Sequence, residues 1–108
     1  IGYIGKNGLL INEKYGSKIR LATVLTDMPF ESPHSTSISE CGSCNICALA
    51  CPAGAIKNVE FCCGMTRDDI IDAKKCSEHM KTYTDIGRGA VCGICIAVCP
   101  KNSKQKTL

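Results

Sequence analysis

CGSCNICALACP, residues Cys41 to Pro52, decides how this sequence is read. Its cysteines follow the spacing C-x2-C-x2-C-x3-C-P. Three thiolates at that spacing can wrap three irons of one cubane [4Fe-4S] cluster. The fourth, three residues further on and turned away by the start of a helix, reaches a different cluster. Pro52 prevents the chain from continuing along the same local path. Beyond it, Ala53 to Ile56 supply a turn at Gly54 and lead into a strand.

Toward the C-terminus the pattern returns. Cys44, Cys47 and Cys51 recur at a constant offset of 48 as Cys92, Cys95 and Cys99, and both copies end in Cys-Pro. Ligation is therefore expected to cross, with Cys41, Cys44 and Cys47 taking Cys99, while Cys92 and Cys95 take Cys51. The fourth ligand of the second set breaks the symmetry, because Cys41 maps onto Gly89. It must come from Cys62, Cys63 or Cys76. Ile71 to Lys75, IDAKK, resembles the IDxxKC approach by which a ferredoxin chain enters a cluster motif, and that resemblance implies Cys76. The second set is then Cys51, Cys76, Cys92 and Cys95, and Ser77 to Val91 is an insertion containing Gly87 and Gly89. Cys62 and Cys63 are left over. Adjacent cysteines span one cubane poorly, and free cysteines behave as small hydrophobes, so packing near the clusters is expected of them. Between the copies, Thr66 and Asp69 have capping-box spacing, which predicts a short helix from Arg67 toward Lys75.

Other uses of ten cysteines fit less well. Zinc ribbons separate their two CxxC pairs by a longer stretch and need no CxxCxxCxxxCP run. A disulfide scaffold would make strained small rings from such close spacings, and no signal-peptide pattern marks secretion. Reduced thiols in the cytoplasm are expected. His34 and His79 are surplus once eight cysteines satisfy two cubanes, and surface or supporting roles are expected of them. Stability must come from metal as much as from packing, since the 108 residues hold no Trp and only 5% aromatics. The formal charge of +3 argues for no nucleic-acid surface, and ligation by eight thiolates would turn the net charge slightly negative. No apolar run approaches the roughly 18 to 20 residues of a membrane span.

The first thirty-odd residues carry no cysteine. Leu9 to Ile11 and Ile19 to Thr26 are apolar and β-branched, and they flank a turn at Asn12 to Ser17 where Gly16 can take a positive φ. A β-hairpin is expected there, with Lys6, Lys14, Lys18 and Arg20 on its solvated face. Lys74, Lys75 and Lys81 are read as ordinary surface charge, and the tail from Lys101 as frayed. Gly2 to Gly8, GYIGKNG, lacks the glycine spacing and the GK[ST] ending of a phosphate loop. Glu31 to Ser39 has loop composition. The fold class is α+β, with residues 1–33 a hairpin segment and 34–108 a ferredoxin-like domain of two [4Fe-4S] clusters. Such a hairpin is marginal alone. With the sequence opening at Ile1 inside a structured segment, the hairpin is expected to complete the sheet of a missing upstream domain.

Taken together, GYIGKNGLLI (Gly2 to Ile11), LATVLTDMPF (Leu21 to Phe30), CGSCNICALACPAGAI, IDAKKC and CGICIAVCPKN, ending at Asn102, resemble the double-cluster domain of epoxyqueuosine reductase and the related corrinoid reductive dehalogenases. That resemblance implies an electron-transfer domain feeding a cobalamin held by the upstream catalytic domain, with no catalytic residue in this stretch. It also implies an electron donor such as a ferredoxin or flavodoxin, and tRNA as substrate only for a true epoxyqueuosine reductase. Phe61 to Asp72, FCCGMTRDDIID, departs from the epoxyqueuosine pattern. The alternative is a dicluster ferredoxin-like carrier with no active site of its own.

Overall fold

The computed structural model describes residues 1–31, 38–83 and 91–102. A hairpin opens the chain, but not between the strands expected. Strand β1 (Gly2–Ile4) pairs antiparallel with β2 (Leu10–Asn12), in the register Gly2 to Asn12, Tyr3 to Ile11 and Ile4 to Leu10. The connection is short: the Gly5 N–H bonds the Leu9 carbonyl, the Gly8 N–H bonds the Gly5 carbonyl, and Asn7 Oδ1 accepts from the Leu9 N–H. Alternation sets the faces, so Tyr3 and Ile11 point inward together and are buried.

Asn12 to Ser17 is the reversal read from the sequence. Asn12 and Gly16 exchange backbone hydrogen bonds at 2.8 Å, and Gly16 has φ +65°. A side chain there would also meet the backbone of Asn102. The chain does not then run back along β2. Ser17 is drawn instead onto the C-terminal segment, its N–H bonding Asn102 Oδ1 at 3.0 Å. Residues 19–26 are therefore not the second strand: they have no strand partner among the described residues, and from Arg20 on they lie exposed, Leu25 at 92%. Apolar β-branched composition dictates an extended path, whereas pairing depended on where Ser17 was anchored.

Four short helices follow: α1 (Ile46–Ala50), α2 (Arg67–Ile70), α3 (Ala73–Met80) and α4 (Ile94–Ala97). The helix expected from Arg67 to Lys75 is split in two. Thr66 and Asp69 do start α2, the Thr66 N–H donating to Asp69 Oδ2 at 2.8 Å. Ile71 then turns extended and bridges Ile56, framed by bonds from the Lys57 N–H to the Ile70 carbonyl and from the Asp72 N–H to the Ala55 carbonyl. Asp72 restarts the helix by accepting from the Lys75 N–H. The Gly54 turn, at φ +60°, delivers Ile56 to this bridge.

Helix α1 packs against α4. The apolar core is small, as the composition requires: Tyr3, Ile11, Ala55 and Ile70 are its buried members among the described residues. Ser77 to Met80, the start of the expected insertion, continues α3, while residues 84–90, with Gly87 and Gly89, lie outside the described residues. So do His34 and residues 103–108 of the tail. No helix among the described residues is long and apolar enough to cross a membrane.

Candidate metal centre

The first cysteine run is shaped by backbone bonds that its own spacing allows. The Cys44 N–H bonds the Cys41 carbonyl at 2.9 Å, closing a turn, and α1 then carries Cys47 and ends at Cys51, whose N–H bonds the Cys47 carbonyl. Cys51 is extended at φ −67°, ψ 112°, which breaks the helix and sends its side chain away from the preceding three. In the second run α4 carries Cys95, and Cys99 follows its end.

These elements bring cysteines of the two runs together. Cys41, Cys44 and Cys47 line a small cavity of about 40 Å³ together with Cys99, Pro100 and Lys101 from the second run. Lys6, Asn7 and Ile11 of the hairpin form its remaining wall. The remaining cysteines of the runs, with Cys76, act on one another's thiols. Burial, then the charges of Cys47, Cys92, Cys76 and Cys51, pushes the Cys95 thiol up to about 11. Burial, then Cys51 and Cys92, raises Cys76. For Cys47, burial raises the thiol, a hydrogen bond from the Ala48 backbone opposes this, and Cys41, Cys44 and Cys99 add to the rise. The cavity thus joins three cysteines of the first run with Cys99 of the second, as α1 packs on α4.

The donor chemistry fits an iron-sulfur cluster. Thiols are the soft ligands such clusters take, and four of them face one cavity whose other lining residues include Ile11 and Pro100. Two buried polar atoms, Asn7 Nδ2 at that cavity and the Tyr3 hydroxyl, which adjoins the Cys41 side chain, have no partner of full hydrogen-bond geometry in the protein. Among the described residues no three His, Cys, Asp or Glu side chains close on a point as they would around one ion. A cubane spreads its four ligands over its own breadth. A wider open recess of about 660 Å³, between the hairpin and Ile38 to Glu40, contains no cysteine.

Cys62 and Cys63 are exposed rather than packed away, in a turn where the Cys62 N–H meets Met65 Sδ at 3.2 Å. His79, on α3, pairs with the Tyr83 hydroxyl at 3.0 Å. Lys6 overturns the expectation of a solvated hairpin face. It is 6% exposed, because its ammonium donates to the Cys44 carbonyl at 2.9 Å and reaches Asn58 Oδ1 at 3.3 Å. Tyr3, Lys6 and Asn7 were not legible as site residues from composition; the usable signal was the glycine-bracketed turn Gly5 to Gly8, which carries two polar residues beside an inward-facing pair of strands.

The chain is similar over most of its length to much longer proteins. It is 36% identical to the epoxyqueuosine reductase of Listeria monocytogenes over 94% of this chain and 27% of that protein. It is 32% identical to the epoxyqueuosine reductase of Cyclobacterium marinum over 98% of this chain and 35% of that protein. It is 30% identical to the tetrachloroethene reductive dehalogenase of Desulfitobacterium hafniense over 97% of this chain and 21% of that protein. The chain thus spans between about a fifth and about a third of the length of these relatives. No solved structure matches it. The family model for the 4Fe-4S double cluster binding domain matches residues 40–102, which takes in both cysteine runs and Cys76, and the chain belongs to that family.

Proposed function

We propose that Cys41, Cys44, Cys47 and Cys99 hold one [4Fe-4S] cluster, that Cys51, Cys76, Cys92 and Cys95 hold the other, and that the pair relays electrons inside a larger epoxyqueuosine reductase-like oxidoreductase. The observation that supports this best is the crossing of the two runs, which leaves Cys62 and Cys63 outside and draws Cys76 in. Bound, each cluster accepts and passes on one electron. The protein's own part is to cover the sulfurs with the hairpin residues Lys6, Asn7 and Ile11 and to hold the two sets against each other through α1 and α4.

Cobalamin in an upstream domain follows from the resemblance to the corrinoid reductases, one of whose relatives is a tetrachloroethene reductive dehalogenase. The chain itself supports a larger assembly in one respect. Leu21, Val24, Leu25, Met28 and Phe30 form an exposed apolar stretch, which fits a strand meant for a sheet outside residues 1–108. Residues 2–17, by contrast, pack on the cluster part through Lys6 and Ser17, so the hairpin segment divides its loyalties near Lys18. A ferredoxin or flavodoxin is the expected donor, and tRNA the expected substrate only if the whole protein acts on epoxyqueuosine.

The test is the full-length protein prepared without oxygen in the presence of cobalamin. Two clusters by iron and sulfide analysis, with the visible spectrum of a bound corrinoid, are expected. Two clusters with no corrinoid uptake would move the protein to the ferredoxin-like carriers.

A further inference from the structure

Among the described residues, every buried side-chain nitrogen or oxygen left without a partner lies on the N-terminal hairpin: the Tyr3 hydroxyl and Asn7 Nδ2. An orphaned buried donor is costly, so a native fold that keeps two of them has acceptors for them. Asn7 is 2% exposed; its Oδ1 accepts from the Leu9 N–H, and both amide hydrogens remain free beside Cys41, Cys44, Cys47 and Cys99. Lys6 lines the same cavity and uses two of its three protons on the Cys44 carbonyl and Asn58 Oδ1. Tyr3 lies across the ladder from Ile11, which also lines that cavity. Its hydroxyl adjoins the Cys41 side chain.

We infer that the hairpin is a donor cap on the Cys41, Cys44, Cys47 and Cys99 cluster, with Asn7 Nδ2 and the Tyr3 hydroxyl donating to its sulfurs and the Lys6 ammonium beside it, and that this cap raises its reduction potential. The inference rests on the ligand sets proposed above. Reduction adds one electron to the cluster and transfers no proton. Donors and a cation stabilise the more negative reduced form more than the oxidised one, the lever by which hydrogen bonds to sulfur tune such clusters. Packing alone would be served at less cost by apolar side chains, since Asn7 and Lys6 both surrender their water. Lys6 also ties the cap to the ligand loop, through the carbonyl of Cys44 itself.

The experiment is a redox titration, followed by electron paramagnetic resonance, of the anaerobically loaded chain and its Tyr3→Phe, Asn7→Leu and Lys6→Met variants, with iron and sulfide measured first. Asn7→Leu is expected to lower the potential of one cluster by about 59 mV, a tenfold change in the reduced-to-oxidised ratio for a one-electron couple. Tyr3→Phe and Lys6→Met should move that same cluster in the same direction, with the other cluster unchanged. Pulsed measurements in deuterated water should find exchangeable deuterons coupled to that cluster, some of them lost in Tyr3→Phe, which removes a single oxygen and spares the ring's packing. Two clusters with potentials and deuteron couplings unmoved in Tyr3→Phe, or both potentials displaced equally in Asn7→Leu, would overturn the cap alone. A parent chain without iron and sulfide would overturn the cluster reading and take the cap with it.

Discussion

Asn102→Ala should loosen the end of the second cysteine run from the N-terminal segment. Asn102 Nδ2 donates to the Ile96 carbonyl at 2.7 Å, and its Oδ1 accepts from the Ser17 N–H at 3.0 Å. The Ser17 hydroxyl is 3.0 Å from that Oδ1 and 3.1 Å from the Ile96 oxygen, and with one proton it serves one of them at a time. Truncation leaves the Ile96 oxygen still served by the hydroxyl. It strands the Ser17 N–H, on a residue 3% exposed. An orphaned buried donor costs about 1–3 kcal/mol and a lost ordinary hydrogen bond about 1 kcal/mol, so the expected loss is about 2–4 kcal/mol. Ser17→Ala keeps the N–H paired and should cost about 1 kcal/mol.

The backbone of Asn102 is bonded to the Cys99 carbonyl, so opening this turn exposes a proposed ligand. The assay is therefore the rate at which a chelator strips iron from the loaded chain without oxygen. At tenfold per 1.4 kcal/mol, Asn102→Ala should lose iron about thirty- to seven-hundred-fold faster, and Ser17→Ala about fivefold faster. The double variant should add little to Asn102→Ala, since both changes act on one network. Iron loss from Asn102→Ala no faster than from Ser17→Ala would refute the reasoning.

Three further outcomes are expected. Anaerobic preparation should yield about eight iron and eight acid-labile sulfide per chain, and zinc without sulfide would count decisively against two cubanes. Cys76→Ser should lose about half the iron, whereas Cys62→Ser and Cys63→Ser, which alter exposed thiols, should lose none; the reverse pattern would reassign the second set. Cluster reconstitution should weaken as pH falls, because burial raises the Cys47, Cys76 and Cys95 thiols, the last to about 11, and each must lose a proton to bind iron. In the iron-free chain the sign reverses: a thiol raised by folding supports the fold below its ordinary value of about 8.5, and that support is lost as pH climbs toward 11. Reconstitution yields independent of pH, or iron-free melting temperatures that rise from pH 8 to 10, would contradict this.

What could be read from the sequence was whatever a few neighbouring residues settle among themselves. The turn at Gly16, the Gly54 reversal and the Thr66 start of α2 each rest on contacts within a few positions, and each stands where its residues put it. The meeting of the two runs, which sets Cys99 beside Cys41, Cys44 and Cys47, was legible for a related reason: two copies of one spacing make two copies of one local path, and packing α1 on α4 brings the copies together. Reading failed where the deciding partner was distant. Arg67 to Lys75 has helical composition throughout, and only Ile56, on another segment, pulls Ile71 out of it. Residues 19–26 have strand composition, yet composition names no partner, and the anchoring of Ser17 by Asn102 turns the chain before pairing with β2 can begin. Lys6 is the sharpest case. A lysine in a hairpin turn belongs in water by every local rule, and what receives it is distant: Asn58 Oδ1 and the carbonyl of Cys44, presented by the turn that the cysteine spacing itself closes. The motif that made the metal site legible thus also created the surroundings that local reading missed.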